Sequence, residues 1–265
     1  MRKNQIEIGS FEMDKLEISI VVITFNEELN IERCLESVVP LGAEMIVVDS
    51  FSTDRTKNIC EQYDVRFYER EFEGHVEQKN YALNLATHPM VLSLDADEAL
   101  TSELRASIIE EIKNNEYDAW ELRRLTSYCG QWIRHGGWYP DRKIRLWKNS
   151  MGKWGGQNPH DKVILDQNAK VGRLNGDLLH HSFYSISEHV EQIQKFTTIA
   201  ARSGYKNGRK TYLLKIILGP IFRFFSMYLI KLGFLDGYHG LIIAINSSFY
   251  KFLKEIKLRE LQRKV

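Results

Sequence analysis

Cysteine and proline are scarce in this chain of 265 residues, which holds only three cysteines and five prolines. Cys34, Cys60 and Cys129 are odd in number and far apart, and none forms a CxxC pair. This pattern argues against a disulfide framework and a zinc site, so we expect a reducing compartment. The polar N-terminus also lacks the apolar core of a signal peptide, which favours a cytoplasmic protein.

Long apolar runs without charge are missing as well. Segments 212–230 and 241–253 are rich in Leu, Ile, Phe and Tyr, but Lys215 and Arg223 interrupt the first one. Neither segment offers the roughly 18 charge-free residues that span a bilayer, and we expect the Gly-Pro pair at 219–220 to break the first. Basic, aromatic helices of this kind favour peripheral association with the inner face of the cytoplasmic membrane.

The net charge of +1 hides an uneven distribution. Residues 202–265 contain 13 Lys/Arg and 3 Asp/Glu, whereas the rest of the chain contains 23 Lys/Arg and 32 Asp/Glu. A basic tail on an acidic body predicts an anionic partner, which is either nucleic acid or an anionic membrane surface. The aromatic and apolar content of the tail favours the membrane surface and no nucleic acid. The alternative is a solvated helical pair that packs on the body.

What the sequence does contain is an alternation of apolar strands and helices over its first hundred residues. The predicted strands are 18–24, 45–49, 65–68 and 90–94. The predicted helices are 27–38, 52–63 and 76–86. This order predicts an α/β fold with a doubly wound, mostly parallel, Rossmann-like sheet. Ligands of such sheets bind at the carboxyl ends of the strands.

Polar side chains follow three of these strands, so one cleft should collect them. The three segments are Thr24-Phe25-Asn26-Glu27, Asp49-Ser50 and Asp95-Ala96-Asp97. In the third, two carboxylates at the mouth of a buried strand repel each other unless a cation compensates them. A hard cation such as Mg²⁺ or Mn²⁺ that carries phosphates meets this need, which indicates a nucleotide-diphosphate site. The alternative is that both acids only cap the following helix.

The pattern changes after about residue 100. A helix is predicted at 101–114, strands at 117–126 and 143–148, and a further helix at 186–205. Two stretches rich in glycine and aromatic residues, 128–140 and 152–159, are predicted as loops. Such loops suit a sugar-sized pocket, although plain core packing is the alternative.

Four motifs in order carry a family resemblance. They are IVVITFNEE at 20–28, VVDSFSTDRT at 47–56, QKNYA at 78–82 and LDADE at 94–98. Together they resemble the family 2 glycosyltransferases of GT-A fold, which are inverting enzymes with nucleotide-sugar donors and a DxD motif. The resemblance covers about residues 17–100.

The second half resembles one branch of that family, the lipopolysaccharide inner-core β-glucosyltransferases. The supporting motifs are GWYPDRKIRL at 137–146, PHD at 159–161 and HHSF at 180–183. The resemblance implies transfer of a hexose, with glucose favoured, to a lipid-linked saccharide of the lipopolysaccharide core. It also implies a transferase domain at 17–205, with a nucleotide-sugar half at 17–100 and an acceptor half at 101–205. Residues 1–16 would form an extension and residues 206–265 a basic amphipathic helical tail.

The resemblance further implies a role for each candidate site residue. A nucleotide-sugar pocket would be lined by Thr24, Phe25, Asn26, Glu27, Asp49, Lys79 and Asp95. Asp97 would bind the metal, Mg²⁺ or Mn²⁺. A UDP-sugar is the favoured donor, although Ser50 stands where many members carry a second acid.

The general base that the inverting reaction needs would be Asp161. His160 would orient it or contact phosphate, and Arg142 and Arg145 would contact the acceptor or the diphosphate. A plain turn is the alternative for Asp161. The adjacent His180 and His181 are open between metal ligation and structure, because neighbouring strand residues point to opposite faces.

Two other functions fit parts of the pattern. A nucleotidyltransferase also uses a carboxylate-bound metal on a doubly wound sheet, but the acidic loop after the first strand lacks its usual glycines. A non-catalytic module that binds nucleotide-sugars is the second alternative. Turnover of a bound donor would distinguish the transferase from this module.

Overall fold

The computed structural model describes residues 16–157 and 160–263. By their contacts these residues form two compact units. The first unit consists of the described part of Met1–Ala96 together with Arg105–Trp120 and Ile144–Gly172. The second unit consists of Asp97–Leu104, Glu121–Lys143 and the described part of Arg173–Val265. The domain boundaries at 16, 100 and 205 stay a prediction.

Strands and helices alternate along the first part of the chain, as predicted. The strands are β1 (Ile18–Thr24), β2 (Glu44–Asp49), β3 (Arg66–Glu69), β4 (Met90–Asp95), β5 (Glu98–Leu100), β6 (Ala119–Tyr128), β7 (Gln131–Ile133), β8 (Asp141–Lys148), β9 (Gly152–Gln157), β10 (His160–Leu165) and β11 (Val171–Phe183). The helices are α1 (Ile31–Val38), α2 (Thr56–Cys60), α3 (His75–Leu85), α4 (Ser102–Asn114), α5 (Ile186–Lys206), α6 (Leu213–Phe225) and α7 (Gly237–Arg263).

The first unit is built on a mixed sheet. Its first four strands are parallel in the order β3-β2-β1-β4, and β8 pairs antiparallel with β4. Strands β1, β2 and β4 are almost wholly buried, as their continuous apolar runs predict. The predicted α/β class and parallel strand core are therefore confirmed.

Two predicted helices are shorter than expected. Helix α1 begins at Ile31 and not at 27, because residues 28–30 form a turn in which the amides of Asn30 and Ile31 both donate to the Glu27 carbonyl oxygen, and Asn30 has a non-helical φ of −121°. Helix α2 covers only Thr56–Cys60, with Arg55 at the N-cap position and no side-chain cap. Asp54 Oδ1 accepts hydrogen bonds from the amide and the hydroxyl of Thr56, which closes a turn just before the helix.

The prediction of a loop at 152–159 was wrong. Residues Gly152–Gln157 are strand β9, which pairs antiparallel with β10 in a two-stranded sheet. Glycine suits this strand because a larger residue would not fit: a Cβ at Gly155 would lie 2.8 Å from Ile164 Cγ1 of the partner strand. The alternative of a plain turn at Asp161 is wrong, because this residue lies in β10 opposite Gly156.

The second unit joins antiparallel strands to a helical bundle. Strand β11 pairs antiparallel with β5, and β7 pairs with β6. The sequence predicted neither β5 nor β7, and of β11 it indicated only the strand at His180 and His181. Helix α5 begins with a capping box between Ser185 and Glu188. Helix α7 packs against both α5 and α6, which places the long apolar segments in a three-helix bundle.

The Gly-Pro pair does not break α6, which corrects that expectation. Pro220 lies inside the helix and is buried, and the hydroxyl of Ser248 on α7 donates to its carbonyl oxygen at 2.8 Å. This bond anchors the proline turn to α7, although it does not replace the amide hydrogen bond to Ile216 that proline cannot donate. The helix continues as a π-helical turn, Ser226–Ile230. Within the described residues, Leu213–Ile230 is the one segment long and apolar enough to cross a membrane, with mean hydropathy 1.7 and 17% of it buried.

Candidate active site

The carboxyl ends of three parallel strands meet in the first unit, as predicted. In the β1–β2 pair Thr24 stands opposite Asp49, and in the β1–β4 pair Ile23 stands opposite Asp95. The three polar segments therefore begin at one edge of one sheet. This is the edge where α/β sheets bind their ligands.

The loops that follow β1 and β2 are joined by side-chain hydrogen bonds. The Asn26 amide donates to Ser52 Oγ at 2.8 Å, and the Thr53 amide donates to Asn26 Oδ1 at 2.8 Å. Glu27 Oε2 accepts a hydrogen bond from Asn30 Nδ2 at 2.8 Å. Asn26 and Glu27 thus shape the loop that is expected to hold the nucleotide.

Asp49 and Thr24 lie beneath these loops and are both buried. The Asp49 carboxylate accepts hydrogen bonds from the Ser52 amide at 2.7 Å and from the Ser52 hydroxyl at 2.5 Å. Thr24 Oγ1 is itself buried and has no hydrogen-bond partner within the part of the chain that the structure describes. The Phe25 side chain is 55% exposed and offers a ring face for stacking.

Asp54 also takes part in joining the loops. Burial opposes its ionisation, but hydrogen bonds from the Thr56 hydroxyl, the Thr56 amide and the Glu28 amide outweigh this and lower the pKa of Asp54. The carboxylate is therefore used in the structure of the loop.

Four charged side chains form a compact cluster beside this edge. Lys79 Nζ lies 2.9 Å from Asp95 Oδ1 and 2.8 Å from Asp161 Oδ2, and Arg145 Nη2 lies 2.7 Å from Asp95 Oδ2. Lys79 and Arg145 are buried. Two cations and two anions compensate one another, which makes the burial of these charges tolerable.

Trp154 of β9 forms one wall of this cluster. Lys79 Nζ lies 4.1 Å from the Trp154 ring centroid, and Arg145 Cζ lies 5.2 Å from it. Asn80 fixes the tryptophan backbone, because its Nδ2 donates to the Trp154 carbonyl oxygen and its Oδ1 accepts from the Trp154 amide. The indole Nε1 donates to Ser93 Oγ on β4 at 3.2 Å.

Sequence reasoning missed Trp154. It is 75 positions after Lys79, and its glycine-rich surroundings indicated a loop. The usable signal was the alternation of Trp154 with glycines, which fits one packed strand face. By contrast, the structure brings together Lys79, Asp95, Arg145 and Asp161, all of which were candidates. Their roles stay predictions.

Asp97 belongs to the second unit, where it meets His180. Asp97 Oδ2 lies 3.1 Å from His180 Nε2, and His180 Nδ1 lies 3.3 Å from the hydroxyl of Thr126. His181 points elsewhere, since its ring contacts Trp132 at 5.1 Å between centroids. Of the two adjacent histidines, His180 is the one that can share a ligand with Asp97.

A carboxylate oxygen and an imidazole nitrogen at this spacing fit a divalent cation. Within the described ranges no group of three or more His, Cys, Asp and Glu side chains is placed to hold a metal. The protein would therefore supply two ligands, and donor phosphates and water would complete the coordination. The sequence left His180 open between metal ligation and a structural role, and its ion pair with Asp97 is compatible with both.

Two weaker candidates remain. Arg142 belongs to the second unit, where its Nη1 lies 3.5 Å from Glu121 Oε2 and its side chain is half exposed. The side chain of His160 lies outside what the structure describes, although its backbone is part of β10. Both assignments stay predictions.

Residues 19–165 match the family model for glycosyl transferase family 2. An uncharacterised glycosyltransferase of Rickettsia typhi is 30% identical over 93% of this chain and 88% of its own length. The lipopolysaccharide core biosynthesis glycosyltransferase LpsC of Rhizobium meliloti is 28% identical over 92% of each chain. The mannosyltransferase PcManGT of Pyrobaculum calidifontis, solved with GDP-Man and Mn²⁺, matches with a TM-score of 0.55 at 14% identity, over 97% of this chain and 91% of that one. This last likeness shows the fold and confirms the predicted GT-A type.

Proposed function

The chain belongs to glycosyl transferase family 2, and from this premise we propose that it transfers a hexose with inversion from a nucleotide-diphosphate sugar to a saccharide acceptor. Glucose is the expected sugar and a UDP-sugar the expected donor. The observation that carries the proposal is the shared lysine between Asp95 and Asp161. Lys79 holds the Asp161 carboxylate, which is the proposed base, beside Asp95, which is expected to face the donor sugar.

In this proposal Asp161 accepts the proton of the acceptor hydroxyl. The hydroxyl oxygen forms a bond to the anomeric carbon while the bond from that carbon to the diphosphate oxygen breaks, and the electron pair leaves with the diphosphate. Lys79 keeps the Asp161 carboxylate in position, and the Arg145 guanidinium suits phosphate oxygens. Mg²⁺ or Mn²⁺ on Asp97 and His180 would stabilise the negative charge of the leaving diphosphate.

The acceptor and the location follow from relatives and charge. LpsC, a relative over most of the chain, acts in lipopolysaccharide core biosynthesis, so we propose a lipid-linked saccharide of the cell envelope as acceptor. The basic residues after 202 favour an anionic membrane surface and the cytoplasmic face of the inner membrane. Residues 17–205 would carry the transfer reaction.

A donor panel tests the nucleotide site. Binding of UDP-glucose, UDP-galactose, UDP-N-acetylglucosamine, GDP-mannose and ADP-heptose is measured with and without Mn²⁺ or Mg²⁺. We expect one donor to bind in a metal-dependent way, and Asp97→Asn to remove that dependence. If the affinity for every donor were the same with and without Mn²⁺ or Mg²⁺, the assignment of Asp97 as a metal ligand would be contradicted.

A second variant tests the base. Asp161→Asn should lower the transfer rate by about 100-fold or more, because general-base catalysis contributes that much, while donor binding persists. Asp166→Asn is the matched control, since Asp166 is an exposed acid just after β10. Full transfer by Asp161→Asn would exclude it as the base. Tight donor binding by the unaltered chain without turnover on any acceptor would favour the non-catalytic module.

A further inference from the structure

A cavity of about 490 Å³ lies between α5, α6 and α7 in the second unit. Its polar lining includes Gln192 of α5 and Asn246 and Ser247 of α7. Phe196 and Tyr250 add aromatic surface. None of the residues assigned to the transfer reaction lines this cavity, so its chemistry needs an explanation of its own.

The charged side chains that line the cavity are all basic. Arg223 of α6 and Lys251 and Lys254 of α7 line it, and none of its described lining residues is acidic. Lys251 Nζ lies 3.3 Å from Glu255 Oε1, whereas neither Arg223 nor Lys254 forms an ion pair among the described residues, and Glu255 acts on Lys254 only at longer range. Two cations are therefore left for an anion to pair with.

Lys254 is the more confined of these two cations. Its side chain is half-buried, and its Nζ lies 5.4 Å from the Tyr250 ring centroid. Burial first, and then the positive charges of Lys251 and Arg209, lower the pKa of Lys254. A bound anion would relieve this repulsion.

One face of α6 beside the cavity is apolar and exposed. Its spacing follows a single helical stripe, and its members are Leu214, Ile217, Leu218, Ile221, Phe222 and Phe225. Phe222 is 71% exposed and also lines the cavity, so the stripe begins at the cavity rim. A contiguous exposed apolar surface of this kind marks an interaction site.

We propose that this cavity binds the phosphate of an anionic lipid, whose acyl chains lie along the exposed stripe of α6. Arg223 and Lys254 contact the phosphate, and the polar side chains of α5 and α7 contact the rest of the headgroup. We infer a lipid because cations without an ion pair and an exposed apolar surface meet at one rim of the cavity. A soluble phosphate would use the cations but leave the apolar surface uncovered. The site is separate from the transfer reaction and does not depend on it.

The test measures binding of a short-chain lipid to the full chain. Dihexanoyl phosphatidic acid, below its micelle concentration, is titrated by calorimetry, with inorganic phosphate and dihexanoyl phosphatidylcholine in parallel. We expect phosphatidic acid to bind at least about tenfold more tightly than either, and Lys254→Gln and Arg223→Gln each to weaken it about tenfold, as loss of a hydrogen bond to a charged group does.

Lys210→Gln is the matched control, because Lys210 is exposed in the same basic region and does not line the cavity. It should change the affinity less than about twofold, since an exposed charge outside the cavity is screened by water and salt. Equal binding of inorganic phosphate would overturn the lipid assignment in favour of a free-anion site. Equal weakening by Lys210→Gln and Lys254→Gln, or no binding by the unaltered chain, would overturn the site itself. Lys254→Arg retains the charge and should restore binding, which separates charge loss from misfolding.

Discussion

Trp154 shows how one side chain organises several charges. Its ring lies against both Lys79 and Arg145, while its indole N–H is bonded to Ser93. A tryptophan face attracts cations most strongly where water is excluded, and this ring is buried. We therefore regard Trp154 as a positioning residue, which acts through the two cations that hold Asp95.

Replacing Trp154 tests this role. Trp154→Phe keeps a ring face and Trp154→Leu removes it, while both lose the hydrogen bond to Ser93. We expect the leucine variant to be less stable than the phenylalanine variant by about 1–2 kcal/mol in urea unfolding, which is the size of desolvated cation–π contacts. The same pair of changes at Trp147 is the control, because Trp147 is buried and no cation lies over its ring in the described structure. Equal differences at both positions would exclude the cation–π contribution.

His189 makes the stability of the chain depend on pH. It is buried, with Nδ1 3.0 Å from the Tyr128 hydroxyl and 3.0 Å from Asn246 Nδ2. Burial lowers the pKa of His189 from 6.5 to about 4. Between about pH 6.5 and pH 4 the unfolded chain binds a proton at His189 that the folded chain does not. The free energy of unfolding therefore decreases as the pH is lowered through this range.

The expected loss through His189 is about 2 kcal/mol between pH about 7.5 and pH about 5. His189→Gln keeps a polar group and should lose that part of the pH dependence in urea unfolding. His75→Gln serves as the control, because His75 is exposed. An unchanged slope in His189→Gln would show that another group carries the pH dependence.

At the scale of elements, the parallel core could be predicted and the hairpins could not. Strands β1, β2 and β4 are continuous apolar runs, so local pattern alone indicates them. Strands β9 and β10 are specified by their pairing with each other, and glycine-rich strands carry no apolar alternation. The candidate site shows the same division, because Asp95 and Asp97 follow from one motif, whereas the contact of Lys79 with Asp161 joins residues 82 positions apart.

The start of α7 depends on a close approach that only glycine allows. A Cβ at Gly240 would lie 1.9 Å from the Gly233 carbonyl oxygen, in the turn that precedes the helix. Gly240→Ala should therefore destabilise the chain by about 2 kcal/mol or more, since the backbone must shift. By helix propensity alone, Gly240→Ala would raise the free energy of unfolding by about 1 kcal/mol. A decrease would therefore point to the backbone contact.

Gly219→Ala in α6 is the matched control for this change. There a Cβ would first meet Lys251 Cε at 3.2 Å, which is the end of a flexible side chain. Urea unfolding should show little loss or a gain for Gly219→Ala and a clear loss for Gly240→Ala. Similar effects at both glycines would contradict the backbone contact as the cause.

At the scale of the whole molecule, charge is the dominant asymmetry. The excess of basic over acidic residues from residue 202 onward is 10, while the remaining chain has an excess of 9 acidic residues. The exposed stripe of α6 lies in the same basic region. A surface that is both basic and apolar binds anionic membranes through both forces, whereas nucleic acid would use only the charge.

Removing charge from the tail tests the membrane prediction. Arg202, Lys206 and Lys215 are exposed, and each basic residue near an anionic surface contributes about 1 kcal/mol. Replacing all three by glutamine should weaken cosedimentation with vesicles that contain phosphatidylglycerol by about 100-fold. Glutamine at Lys113, Lys153 and Lys162 makes the same change in net charge outside the tail and should have a much smaller effect.

Salt and lipid composition separate the two ways in which α6 could meet a membrane. If the association is peripheral, binding needs anionic lipid and falls as salt rises, because exposed charges are screened over about 8 Å at physiological ionic strength. If Leu213–Ile230 crosses the bilayer, binding persists in neutral vesicles and at high salt. Lys215 and Arg223 within this segment oppose spanning, since each charge in the hydrocarbon core costs about 2.5–3.5 kcal/mol on insertion scales. We therefore expect salt-sensitive binding to anionic vesicles, and salt-resistant binding to neutral ones would contradict the peripheral arrangement.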